Sequence, residues 1–315
     1  MDRWNTCNIC SQKGRTALVT GGTEKVGLEV ARELARNGAR VIICASDIAK
    51  GEKALMDIRS SMEEAFVNYE LVDFADLNSV KCFCEKIKIE YEELHLLIND
   101  ADFRPPQRRI MTAQNYELMF AENYLAHFSV TAQLFSLLQK AQDARIIFQS
   151  GIEHEQGIID FFDLDSSLFY DPFKAYAQSK LAVQFFSREL DRRIRLTHLN
   201  IKSIPVHTGG FHPPIFSKLI NYAFRQTPPQ AAMSTLFAAT SSEAKSGHYY
   251  GPEGFKGMRG HPYEIDFAKH AKSLYTAERL WNVSEKMTGL DFSLRDMSNV
   301  LPFPERANIH PETFI

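Results

Sequence analysis

Tyr176 and Lys180 stand four residues apart, separated by Ala177, Gln178 and Ser179. On a helix that spacing puts both side chains on one face. A cation beside a phenol favours the phenolate and lowers the tyrosine pKa from its unperturbed value of ~10. A phenol tuned this way can give or take a proton while a hydride moves to or from carbon. Any solvated amphipathic helix can also carry the pair, so its meaning depends on the elements that position it.

Those elements alternate. Thr16–Thr20 reads as a buried parallel strand, followed by Gly21-Gly22-Thr23-Glu24-Lys25-Val26-Gly27, an amphipathic helix over 28–38 and a second strand over 40–45. This βαβ unit carries a glycine-bearing turn at the end of its first strand, where a dinucleotide pyrophosphate docks on a helix N-terminus. Strands are expected at 69–73, 94–99, 145–149 and 196–204, and helices at 78–91, 112–140 and 172–193. Such alternation predicts a doubly wound parallel sheet in a three-layer α/β/α, Rossmann-type arrangement. A single domain is expected over 14–290, with an N-terminal arm at 1–13 and a tail at 291–315, where Leu301-Pro-Phe-Pro304 and Pro311 oppose a helix.

The 315 residues, 44% of them hydrophobic, suffice to fill one α/β core. A net charge of −3 gives no reason to propose a nucleic-acid partner. No apolar run reaches the ~18–20 residues of a membrane helix. No basic and then apolar leader opens the chain, so a soluble, cytoplasmic protein without a membrane span is expected. Five cysteines, an odd number, fit a reducing compartment. Cys7 and Cys10 have metal-like spacing, but no second Cys/His pair matches them, so incidental thiols and no metal are predicted. Cys82 and Cys84 read as packing residues on a helix. His127 and His154 fall near strand ends and are read as structural.

The order of motifs resembles the short-chain dehydrogenase/reductase family, in its retinol-dehydrogenase-like and WW-domain-oxidoreductase-like branch. The segments are Gln12–Gly21, Leu97-Ile-Asn-Asp-Ala-Asp102, Glu122-Asn-Tyr-Leu-Ala-His-Phe128, Arg145–His154, Tyr176 with Lys180, and Ala277–Glu285. The resemblance covers about residues 1 to 290. It implies NAD or NADP as cofactor and a small hydrophobic alcohol or carbonyl as substrate. Tyr176 would be the acid/base; Lys180 would lower its pKa and hold the nicotinamide ribose. Asn123 would hold a water on the proton path. Cofactor contacts would come from Gly21, Thr23, Lys25, Val26, Gly27, Asp47, Asp73, Asn99, Pro205 and Thr208. A homodimer through the helices around Asn123 and Tyr176 follows by the same analogy.

Several positions depart from the family pattern. Lys25 replaces the middle glycine of the turn, where any Cβ crowds the pyrophosphate, although its ammonium group could meet a phosphate instead. Glu24 places a carboxylate nearby. Ser46 stands where an arginine commonly clamps the NADP 2′-phosphate. Asp47 reads equally as a ribose contact and a helix N-cap. Asp100 and Asp102 flank a strand end that the family keeps uncharged. Val206 and Gly210 replace a glycine and a threonine. Gly151 stands at the position of the catalytic serine, with Ser150 before it; in a strand, neighbours point to opposite faces, so Ser150 can substitute only if the strand end shifts by one residue. Losing such a donor typically lowers the rate ~10²–10³-fold. Residues 209–214 begin a variable segment, aromatic through Phe211, Phe216, Tyr222 and Phe224, that reads as a substrate lid or as a packed helix. Two functions stay open: an oxidoreductase, and a catalytically impaired pseudoenzyme that uses the same scaffold for binding or regulation.

Overall fold

The structure, a computed structural model, describes residues 3–62, 64–209, 226–254 and 257–294. Eight strands form one sheet: β1 (Thr16–Val19), β2 (Arg40–Ala45), β3 (Val67–Leu71), β4 (Leu96–Asn99), β5 (Ala144–Gln149), β6 (Ile201–Val206), β7 (Tyr249–Pro252) and β8 (Pro262–Ile265). Their order is 3-2-1-4-5-6-7-8, and every pairing is parallel except β7–β8. The strand order reverses between β1 and β4, which opens a crevice at their C-terminal ends.

The short strands Thr-Ala-Leu-Val of β1 and Leu-Leu-Ile-Asn of β4 are buried at every residue, as strands covered on both faces must be. Alternate side chains feed two separate cores. Leu18, Ile42 and Leu97 enter one, with α3 (Leu77–Glu90), α4 (Ala126–Lys140), α5 (Pro172–Leu196) and α7 (Leu274–Thr288). Ala17, Val41 and Ile98 enter the other, with α1 (Lys25–Arg36), α2 (Ile48–Ser60) and α6 (Pro228–Thr240). This is the three-layer Rossmann arrangement expected from the alternation. Among the described residues, no helix is long and apolar enough to cross a membrane.

Several boundaries differ from expectation. Strand β3 lies two residues earlier than expected, and β6 begins at Ile201 because α5 continues to Leu196 and His198 turns the chain at φ 56°. The helix expected from 112 is absent there: Met111 bridges Glu117, Asn115 has φ 61°, and a turn over Leu118–Phe120 leads into a π-helical turn, Ala121–Leu125. Asn115 in the left-handed region breaks the helical path, and the Glu117 carboxylate then caps the new start by accepting from Phe120 N–H at 2.8 Å.

At the chain's two ends, Trp4 packs edge-on against Phe237 at 5.5 Å and Phe292 stacks on Trp281 at 4.8 Å. Of the expected lid only Gly209 is described; residues 210–225 lie outside the described residues, as does the tail from 295.

Candidate active site

The crevice floor is organised by Thr20, just beyond β1. Its Oγ1 accepts from Asp100 N–H and Ala101 N–H at 2.9 Å each and lies 3.1 Å from His127 Nε2. His127 Nδ1 lies 3.1 Å from Asn123 O, so a neutral ring can donate there and accept from Thr20. Burial pushes the His127 pKa down to about 4, which keeps it neutral. Histidine thus ties the β1 and β4 ends to the π-helical turn and makes no contact suited to a base.

The turn after β1 keeps a glycine-like shape without all its glycines. Lys25 has φ 48°, in the left-handed region, and its side chain is exposed. Gly27 is required by close approach, since a Cβ there would meet Gly21 O at 2.4 Å. Thr23 and Val26 are half-buried along the same turn. Glu24 occupies the N-cap of α1 yet makes no side-chain cap hydrogen bond. Its carboxylate instead faces Lys50, 4.0 Å away. The first amides of α1 are therefore uncapped by that side chain, which is the condition for an anion site at a helix N-terminus. Asp47 caps α2, accepting from Lys50 N–H at 2.8 Å, and that bond holds its carboxyl below the usual range. It remains exposed, so the cap does not block a ribose contact. Asp73 is exposed and accepts from Ala75 N–H at 2.9 Å.

Helix α5 starts from Asp171, which accepts from Lys174 N–H at 2.9 Å, with Pro172 in the first turn. One turn on, Tyr176 and Lys180 share a face as the spacing predicts. Lys180 is 1% exposed. Its Nζ lies 2.8 Å from Asp102 Oδ1, 3.4 Å from Gln149 O and 5.4 Å from the Tyr176 ring centre. The Tyr176 hydroxyl donates to both Asp102 carboxylate oxygens, at 3.0 and 3.1 Å. Burial, then the charges of Asp102 and Glu153, push the phenol well above its ordinary value. The lowered tyrosine pKa expected from Lys180 is thus corrected: burial, and after it Asp102, which accepts from the cation and the phenol together, reverse the sign.

Other predicted residues surround this carboxylate. Asn123 accepts from Phe103 N–H at 2.9 Å through Oδ1 and donates to Ser179 Oγ at 3.2 Å. Asn99 donates to Thr131 Oγ1 at 3.2 Å, while its buried Oδ1 has no hydrogen-bond partner among the described residues. Asp100 is buried, and burial followed by the Asp102 charge drives its pKa well up. Pro205 lies in β6 opposite Phe148. Thr208 accepts from Gln149 Nε2 at 3.1 Å. Ser150 is not shifted towards the crevice: β5 and β6 stay in register to Gln149 and Val206, and Ser150 Oγ donates to Lys180 O at 3.0 Å, 1% exposed. Its hydroxyl is thereby committed to the backbone of α5.

Glu153 is the site residue that sequence reading passed over. It lies in the short 3-10 turn Ile152–Gln156 after β5. A Cβ added at Gly151 would meet Glu153 Oε2 at 2.3 Å. Burial raises the Glu153 pKa, with Asp102 adding to the effect and Lys180 opposing it. The signal was present as an acid two residues after the missing serine. Glu122 was passed over too: buried in the π-helical turn, its pKa is pushed up to about 8 by burial and then by Asp73 and Glu117.

One half of this crevice has features suited to a dinucleotide: the uncapped α1 terminus and the retained turn shape suit a diphosphate, and the unpartnered Asn99 Oδ1 could accept from a ligand donor. In the other half, Asp102 must share or release Tyr176 and Lys180. Among the described residues, no group of three or more His, Cys, Asp or Glu side chains could hold a metal ion.

These features define a doubly wound sheet with a tyrosine–lysine pair at its switch-point edge. The short chain dehydrogenase family profile matches residues 15–221. Bovine (Bos taurus) retinol dehydrogenase 12 is 35% identical over 285 residues, covering 88% of this chain and 87% of that protein. Human retinol dehydrogenase 14 is 32% identical over 306 residues, covering 88% and 87%. A crystal structure of an uncharacterised protein from Mycobacterium Paratuberculosis superposes with a TM-score of 0.80 at 29% identity, covering 93% of this chain and all of that one. The chain belongs to the short chain dehydrogenase family, a family of oxidoreductases.

Proposed function

We propose that this protein is an NAD(P)-dependent oxidoreductase acting on a small hydrophobic alcohol or carbonyl. The observation that carries the reading is the pairing of Tyr176 and Lys180 on one face of α5, with Lys180 Nζ 5.4 Å from the phenol ring centre, at the C-terminal edge of the sheet. Backbone and side chains of Gly21, Thr23, Lys25, Val26 and Gly27 would hold the diphosphate. Asp47 would meet the ribose and Asp73 the adenine; Asn99, Pro205 and Thr208 would line the nicotinamide half. The bound cofactor supplies the hydride donor or acceptor. Tyr176 exchanges a proton with the substrate oxygen, and Lys180, once released by Asp102, supports it by charge. The names of the similar proteins make retinol and retinal the first substrates to try. NAD against NADP, a cytoplasmic location and a homodimer through α4 and α5 belong to the same proposal.

A second reading is favoured by one observation. Asp102 satisfies both reactive groups from within the chain, as a scaffold retired from catalysis would. Calorimetric titration with NAD(H) and NADP(H) separately decides. Micromolar binding, about −8 kcal/mol, supports the oxidoreductase; no binding at millimolar concentration turns the function to a pseudoenzyme that binds other partners.

A further inference from the structure

We propose that Glu153 takes over the work of the missing serine, its carboxyl hydrogen-bonding the substrate carbonyl oxygen. The inference rests on the oxidoreductase reading for the identity of the ligand, but its geometry stands apart from that reading. A serine at 151 would start its side chain beside Glu153 Oε2, since the added Cβ would lie 2.3 Å from that oxygen and 3.6 Å from Lys180 Cγ. One polar group has left this space and another fills it. Gly151 itself is part of the fit, because any larger residue would contest the volume.

The chemistry follows from the surroundings. An ionised carboxylate only accepts hydrogen bonds and would repel a carbonyl oxygen, whereas a neutral carboxyl offers one O–H. Four titratable groups face Glu153. Asp102, in the loop after β4, raises its pKa, and Lys180, on α5, lowers it. Tyr176 on α5 and Tyr249 on β7 each feel its charge in return. Burial acts first and favours the neutral form, while a hydrogen bond from its own backbone N–H and then Lys180 oppose it. Both phenols are held well above their ordinary values, so neither opposes that form with a charge near neutrality. No bond is made or broken at Glu153: it keeps its proton, and the proton exchanged with substrate remains that of Tyr176.

The test is binding of N-cyclohexylformamide, a hydrophobic carbonyl compound that accepts no hydride, measured by calorimetry from about pH 5 to about pH 9. NAD(H) and NADP(H) are titrated in parallel. In the unaltered protein the affinity for the formamide is expected to fall about tenfold as Glu153 ionises. Glu153→Gln, which keeps an N–H donor, should bind at both ends of the range without that fall. Glu153→Ala should bind weakly throughout. Glu153→Ala combined with Gly151→Ser should restore tight, pH-independent binding. Equal binding by the unaltered protein and Glu153→Ala, or no binding by the unaltered protein, overturns the assignment of Glu153 and leaves the cofactor titration to judge the oxidoreductase reading. Formamide binding that depends on Glu153, with no cofactor bound, overturns the oxidoreductase reading alone.

Discussion

The buried ammonium of Lys180 rests 2.8 Å from the carboxylate of Asp102, a residue 40% exposed at its side chain. Tyr176 donates to the same carboxylate. One acid therefore bridges the two groups that the family arrangement assigns to substrate and cofactor. The loop after β4 supplies this acid at a point where glycine would leave the pair free.

Replacing Asp102 by Asn removes the charge and keeps the shape. Tyr176 should then ionise at lower pH, because the adjacent carboxylate adds to burial in raising it now. Ultraviolet titration of Asp102→Asn with and without Tyr176→Phe isolates the phenol. Cofactor affinity should rise about tenfold, while stability falls by about 1–3 kcal/mol as the buried Lys180 loses its partner. An unchanged phenol titration would show that Asp102 does not control Tyr176.

Lys25 holds φ 48° without being glycine. That conformation costs about 1 kcal/mol for a residue with a Cβ. Lys25→Gly should therefore raise stability in urea by about 0.5–1 kcal/mol and tighten NAD(P) binding. Lys25→Ala keeps the Cβ and should gain neither. A stability gain in both variants would place the strain in the lysine chain rather than in the backbone.

Glu122 has its pKa raised from 4.5 to about 8 in the folded chain. Its neutral form is favoured by folding, so its stabilising contribution is complete below pH 4.5 and is lost as pH rises through about 8. Glu122→Gln should match the unaltered protein near pH 4 and exceed it near pH 8 by about 4 kcal/mol. Thermal unfolding at both pH values reads the difference, and parallel curves would count against the buried acid.

Arg145, 4% exposed, donates to Ala238 O and Ser241 O at 3.2 and 2.7 Å at the end of α6, and pairs with Asp143 at 2.9 Å. Arg145→Met fills similar volume but leaves those carbonyls and Asp143 without it. A loss of about 2–4 kcal/mol is expected in denaturant unfolding. A loss below ~0.5 kcal/mol would mean water replaces the guanidinium at little cost.

Alternation of apolar strands with amphipathic helices made the layer order readable, and β2 falls at 40–45 as read. Periodicity could not find the start of the helix before α4. Residues 112–117 are mostly polar; a left-handed Asn115 and the Glu117 cap decide the boundary, and neither has a period. The last strand pair was not read because Tyr249–Pro252 and Pro262–Ile265 are four residues each, too short for alternation to stand out. At the site, Tyr176, Lys180 and the acids at 100 and 102 were visible as residue types. What Asp102 does with them was not, because an interaction across 74 residues leaves no local pattern. Glu153 escaped for a related reason: its importance comes from the volume that Gly151 leaves to its carboxylate, and a sequence does not display volumes.

That shared volume also couples the two positions. Serine at 151 and the present position of the Glu153 carboxylate exclude each other. A returning serine would oblige the carboxylate, the far end of a flexible side chain, to swing aside, and shortening the acid by itself leaves the space with neither group. The two residues therefore share one place: whichever group occupies it, the other has to point elsewhere.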